Sequence, residues 1–192
     1  MKILGITGGV GSGKSEILKY LKEEYGAAVC QMDETARELQ RSGTECFRKI
    51  VEAFGSGIVG GDGELDRRKL GERVFSDPEE LRLLNSIVHP EVLRCVQEDI
   101  EAHAAAGTEL YVLEAALFPE VGRGLCDELW YIYVPEEVRR ERLKASRQYT
   151  DGKITDMIAS QPSEEDFREA CTAVIDNGGP FENTQRQIGD RL

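Results

Sequence analysis

The sequence predicts an α/β fold, a doubly wound parallel sheet of five strands with a helical lobe inserted after the second strand. Three observations predict it. An apolar run, a glycine-rich turn, an amphipathic helix and a second apolar run follow one another within residues 2–30, the order of a βαβ unit. Residues 34–106 then carry helical periodicity with little strand pattern. Three later apolar runs alternate with helical stretches, as in a parallel sheet whose crossovers are helices.

The elements follow in chain order. KILGIT at 2–7 reads as a buried strand, with apolar side chains on both faces of the pleat. The turn at 8–13 leads into a helix over 14–25, with Ile17, Leu18 and Leu21 on one face and Gly26 placed to end it. Residues 27–30 form the second strand, and Asp33 lies just beyond it. In the lobe, helices are expected over 35–40, 45–54, 66–75, 78–88 and 90–106, with a turn-rich patch at 55–63. A break is expected before Pro90, because proline disfavours helix in the residue it follows. Residues 110–113 form a third strand ending at Glu114, and ELWYIYV at 128–134 a fourth. An arginine-rich helix over 136–146 and another over 150–161 come next. Residues 173–175 form the fifth strand, Asp176-Asn177-Gly178-Gly179 its terminal turn, and 181–192 a short closing helix.

Composition narrows the function classes. In 192 residues, 24 Lys and Arg stand against 36 Asp and Glu, a net charge of −12. A chain this acidic repels phosphate backbones, so neither nucleic acid nor an anionic membrane surface is expected as a partner. No apolar run is long enough to span a bilayer, and the start lacks the apolar core of a signal peptide. Cys30, Cys46, Cys95, Cys126 and Cys171 are scattered and form no C-x-x-C pair, which argues for reduced thiols in the cytoplasm. Any phosphate site must be built locally, from backbone amides and a few cations.

Gly8-Gly9-Val10-Gly11-Ser12-Gly13-Lys14-Ser15 fits G-x-x-x-x-G-K-[ST], between a predicted strand and a predicted helix. This is a P-loop. Gly9, Val10, Gly11, Ser12 and Gly13 let the backbone wrap an anion with its N–H groups inward, and the helix dipole adds to them. Lys14 is expected to reach the β- and γ-phosphates of a nucleoside triphosphate, and the Ser15 hydroxyl to ligate Mg²⁺. Asp33 can act as a general base or hold Mg²⁺ through water, or it can cap the following helix. Arg139, Arg140, Arg142 and Arg147 can form a lid over 139–161 that clamps phosphoryl oxygens. Acidic neighbours at Glu136, Glu137 and Glu141 equally allow surface pairing. No N-K-x-D run of the GTPase kind is present, and Glu114 matches a Walker-B carboxylate weakly. A compact P-loop core with an inserted lobe and an arginine-rich lid suggests a small-molecule kinase.

The residues resemble the dephospho-CoA kinase family over nearly the whole chain. ITGGVGSGKS (6–15) is similar to its P-loop wording, and MDETAR (32–37) to its D-x-x-A-R segment. FGSGIVGGDGELDRRKLGERVF (54–75), LNSIVHPEV (84–92) and VIDNGG (174–179) resemble three further family segments. The resemblance implies one kinase domain, its core at about 1–33 and 107–192 and its acceptor lobe at about 34–106. It implies phosphoryl transfer from ATP to the 3′-hydroxyl of dephospho-CoA, with Asp33 as general base and Lys14 and Arg142 in catalysis. Arg147 and Asn177 would serve the nucleotide, and Arg67 and His89 the acceptor. On their own chemistry Arg67 can be a surface pair and His89 a packed helix-end residue.

The chain also departs from the family pattern. Gln31 stands where a second acidic residue is frequent, and Pro119 is displaced in Ala115-Ala116-Leu117-Phe118-Pro119-Glu120. Ser146 and Met157 occupy two places where the family's lid carries arginine. The other readings open to this sequence are a different P-loop kinase, of nucleoside monophosphates or sugar acids, and an ATP-binding module without transfer.

Overall fold

The computed structural model describes residues 1–116 and 124–192. Five strands, β1 (Lys2–Thr7), β2 (Ala28–Gln31), β3 (Leu110–Glu114), β4 (Glu128–Tyr133) and β5 (Ala173–Asp176), form one parallel sheet in the order β2-β3-β1-β4-β5. Leu4 is aligned with Val112 of β3 on one side and Glu128 of β4 on the other, and Trp130 of β4 with Ala173 of β5. The sheet reverses direction of growth at β1, so the loop leaving β1 stands at the switch point, where such sheets bind ligands.

The chain divides into two compact units, one of residues 1–30 and 103–192, the other of residues 31–102. In the first, alternate residues of each strand face one core: Leu4 and Ile6, Leu110 and Val112, Trp130 and Ile132, Ala173 and Ile175. Helix α1 (Lys14–Tyr25) covers them with Ile17, Leu18 and Leu21, and α9 (Phe181–Gly189) with Ile188. The intervening residues, Tyr111, Leu113, Leu129 and Tyr131, are buried on the other face. Both faces are covered, as a parallel sheet requires. Helices α6 (Glu136–Arg147) and α7 (Asp151–Ala159) lie between β4 and β5 in the chain. With them lies α8 (Glu164–Ala170), whose Phe167 stacks on Tyr131 with ring centroids 4.8 Å apart.

The second unit is helical: α2 (Met32–Leu39), α3 (Glu45–Phe54), α4 (Arg67–Ser76) and most of α5 (Pro78–Ala105), with a short 3₁₀ turn at Ser56–Ile58. Cys46, Ile50, Phe54, Leu70, Val74, Val88, Val92 and Val96 are buried. Lys49 of α3 pairs with Glu91 of α5 at 2.7 Å, and Arg73 of α4 donates to the Phe54 carbonyl at 2.8 Å.

Four expectations need correction. Helix α5 runs unbroken through Pro90. The proline removes one N–H, but Val88, Val92 and Val96 keep one apolar face buried across it, and tertiary burial outweighs the local penalty. Asp66 lies outside α4 as its N-cap and accepts from the backbone N–H of Arg68 and Lys69. Asp33 is not a cap: Gln31 holds that position, and Asp33 is in the first turn of α2, where a carboxylate suits the helix dipole. Helix α8 was not expected at all, though Ser163 and Asp166 form a capping box at its start. The displaced Pro119 lies outside the described residues. No disulfide joins any of the five cysteines. No helix among the described residues is long and apolar enough to cross a membrane.

Candidate active site

The loop of residues 8–13 joins β1 to α1. Gly11 and Gly13 have φ of 80° and 82°, the left-handed region that side chains disfavour. Gly13 is the N-cap of α1 and contributes no side chain to it, so the start of a helix of twelve residues faces the loop without a side-chain cap. Backbone amides and the positive end of the helix dipole together make an anion site.

Lys14 is fixed at this loop from two sides. Its ammonium donates to the Gly8 carbonyl at 2.7 Å and lies 3.6 Å from Oε1 of Glu114, the last residue of β3. Both side chains are largely buried, 15% and 9% exposed. Burying such a pair costs desolvation and is weak ground for stability. Its chemical value is that a cation is held in place beside a phosphate cradle. Ser15 is exposed at the first turn of α1.

The far wall comes from β5 and α6. Asn177, 2% exposed, donates from Nδ2 to the Ser12 carbonyl at 2.8 Å and accepts from the Thr184 hydroxyl at 2.9 Å. Both ends of its side-chain amide are thus spent on holding the loop to β5 and α9. Arg142 donates to the Asn177 carbonyl at 2.9 Å, and its Nη1 lies 3.5 Å from where a Cβ on Gly13 would stand. Arg140 is engaged elsewhere, with Glu136 at 2.8 Å and the Thr155 hydroxyl at 3.0 Å. Arg147 lies over the Tyr149 ring, 6.0 Å from its centroid.

Two further residues stand at the loop: Arg139, one of the four arginines of the expected lid, and Gln161, to which the sequence gives no role. Nη1 of Arg139 lies 1.8 Å from the position of a Cβ on Gly9, and Oε1 of Gln161 accepts the Val10 N–H at 3.0 Å. Arg139 is three residues before Arg142, on the same helix face; that spacing was the available signal. Gln161 follows the end of α7, and no local pattern marks it.

The remaining candidates belong to the helical unit. Asp33 is exposed in α2. Arg67, at the start of α4, donates to the Arg37 carbonyl at 3.5 Å, so the D-x-x-A-R and D-R segments meet within this unit. Arg67 also lines a surface pocket with Gln40, Arg41, Glu64 and Leu65. His89 is half-buried on α5, immediately before Pro90.

Comparison with known proteins bears on this arrangement. A family model described as dephospho-CoA kinase matches residues 2–183. A dephospho-CoA kinase of Carboxydothermus hydrogenoformans is 39% identical over 189 residues, 98% of this chain and 91% of that protein. The crystal structure of TT1252 from Thermus thermophilus superposes with a TM-score of 0.83 at 32% identity, over 98% of this chain and 95% of that one. A dephospho-CoA kinase from Campylobacter jejuni shares the fold, with a TM-score of 0.71 at 21% identity over 99% and 97% of the two chains.

Proposed function

The chain belongs to the dephospho-CoA kinase family, an ATP-dependent kinase family, and from that premise we propose the reaction it performs. It transfers the γ-phosphoryl group of ATP to the 3′-hydroxyl of the ribose of dephospho-CoA. A bond forms between the ribose 3′-oxygen and the γ-phosphorus, the bond from that phosphorus to the β-phosphate oxygen breaks, and CoA and ADP leave. The observation that carries this reading is a family match over residues 2–183 in a chain that holds Lys14 at a G-x-x-x-x-G-K-S loop.

The residues take these parts. Backbone N–H groups of the segment Gly9, Val10, Gly11, Ser12 and Gly13, with the start of α1, bind the phosphates. Lys14 meets the β- and γ-phosphates, and Arg142 stabilises charge on the transferring group from the Gly13 side. Asn177 keeps the Ser12 carbonyl turned away from the nucleotide by hydrogen bonding it. Asp33, the acidic residue of the D-x-x-A-R segment, accepts the proton of the acceptor hydroxyl. Arg67 and His89 bind the acceptor, and Arg147 serves the nucleotide.

The donor set suits Mg²⁺. Ser15 offers a hard hydroxyl oxygen at the first turn of α1, and this ion takes few protein ligands beside phosphate oxygens. Bound there, Mg²⁺ would neutralise charge on the phosphates. The test is label transfer: with ATP labelled at the γ-phosphate and dephospho-CoA, the label is expected in a product that co-migrates with CoA. Label released only as inorganic phosphate would contradict the reading.

A further inference from the structure

We propose that Arg139 is a third cation for the terminal phosphoryl group of ATP, beside Lys14 and Arg142, delivered by α6 to the rim of the loop at Gly9 and Val10. The inference rests on ATP being the nucleotide and is independent of which acceptor is used.

Three observations carry it. The first is the approach. A Cβ on Gly9 would lie 1.8 Å from Arg139 Nη1 and 3.0 Å from Cζ, so the guanidinium occupies the space a side chain would need. Gly9 is not among the glycines with positive φ. Its missing side chain therefore makes room for Arg139 rather than for an unusual backbone.

The second is the state of the cation. Arg139 Nε is buried and has no hydrogen-bond partner. Its neighbour Arg140, by contrast, is paired with Glu136. A buried donor on a cation is costly to leave unsatisfied, and more so when the group is charged. No carboxylate oxygen hydrogen-bonds Arg139 Nε among the described residues, so the position suits a group of negative charge that arrives from outside the chain.

The third is Gln161. Its Oε1 accepts the Val10 N–H at 3.0 Å and lies 3.2 Å from the same Gly9 Cβ position. A neutral oxygen thus marks a place that is in reach of a loop amide and beside the guanidinium. A phosphoryl oxygen there carries charge and forms the stronger hydrogen bonds, so it displaces the amide oxygen. Gly9 and Val10 are on the opening half of the loop, ahead of the amides at the helix start that cradle the inner phosphates. That assigns the oxygen to the terminal phosphate, where charge shifts during transfer. Ser146 and Met157 stand where the resemblance led us to expect lid arginines; Arg139 supplies such a charge from one face of α6.

The test compares Mg-ATP and Mg-ADP binding by calorimetry in Arg139→Gln, Arg139→Lys and Gly9→Ala, with turnover measured alongside. Arg139→Gln is expected to weaken ATP about tenfold, to change ADP less than about twofold, and to lower kcat by ~10²-fold. Lysine should recover part of the ATP affinity, because it keeps the charge and loses the fork. Gly9→Ala leaves Arg139 in the chain but puts a methyl where Nη1 lies, so it should reproduce the ATP-over-ADP loss. The double variant Gly9→Ala/Arg139→Gln should lose little more than either single one. If Arg139→Gln fails to fold, the ATP-to-ADP ratio in Gly9→Ala decides. Equal weakening of ATP and ADP, no weakening of either, or multiplying losses in the double variant would overturn the proposal. An enzyme with this ATP-over-ADP pattern and no turnover on dephospho-CoA would overturn the acceptor assignment and leave Arg139 standing.

Discussion

Asn177 shows what a single residue's neighbours in the sequence leave out. Asp176-Asn177-Gly178 is readable as turn chemistry, and the turn is there, with the Gly178 N–H donating to Asp176 Oδ1 at 2.8 Å. What the local pattern lacks is the bond from Asn177 to the Ser12 carbonyl, which joins residues 165 positions apart. Asn177→Ala leaves that buried carbonyl short of a partner, while the Thr184 hydroxyl keeps the Asp176 carbonyl as its acceptor at 3.1 Å. It should cost about 2 kcal/mol in urea unfolding and weaken nucleotide binding with it. Unchanged stability would mean the loop is anchored elsewhere. Asp33 is the opposite case, since the role proposed for it rests on its motif and its place is only a helix first turn. Asp33→Asn should lower turnover ~10²–10⁴-fold with ATP affinity held within about twofold. A comparable loss of ATP binding would remove it as the general base. The placement of Lys14 was legible, because its motif dictates both its residue type and its position at a helix start.

At the scale of elements, the strands and α1 were legible because their signals are local. Apolar runs lie between glycines, a helix stripe ends at Gly26, and both features sit where the sheet places them. The differences from expectation have two causes, a local rule outweighed by burial and an element too short to show periodicity. Proline predicted a break in α5, and the apolar face through Val92 and Val96 carried the helix past it. Helix α8 has a capping box, but its seven residues offer too little periodicity to mark a helix in the sequence. The helices of the second unit are tied by charges as well as by apolar faces, which gives a pH test. Lys49 at 2.7 Å, and then Arg94, hold the Glu91 carboxyl below the ordinary glutamate value. A carboxylate with a depressed folded value contributes stability above its unfolded pKa and loses it as pH falls through the folded one. Wild type should therefore exceed Glu91→Gln in stability at neutral pH, and the gap should close on acidification below the ordinary glutamate range. A gap that stays constant down to acid pH would show that the pair contributes nothing through charge.

For the molecule as a whole, the net charge of −12 bears on how it handles phosphate-rich ligands. Among the described residues, the cations brought to the loop are Lys14, Arg142 and Arg139, beside amides and a helix N-terminus that add no formal charge. An acidic protein can bind ATP this way because the field that matters is local and partly buried. The family and the P-loop were legible in the sequence, since motif wording is carried by contiguous segments outside the expected lid. The identity of the cation at the loop rim was not, because it depends on which face of α6 packs there. The most direct measurement is ADP release in a coupled assay, with the same enzyme and saturating Mg-ATP offered dephospho-CoA, a nucleoside monophosphate or a sugar acid. The account predicts that ADP forms with dephospho-CoA and stays near background with the other two. Release that dephospho-CoA does not raise, or that another acceptor raises more, would contradict it.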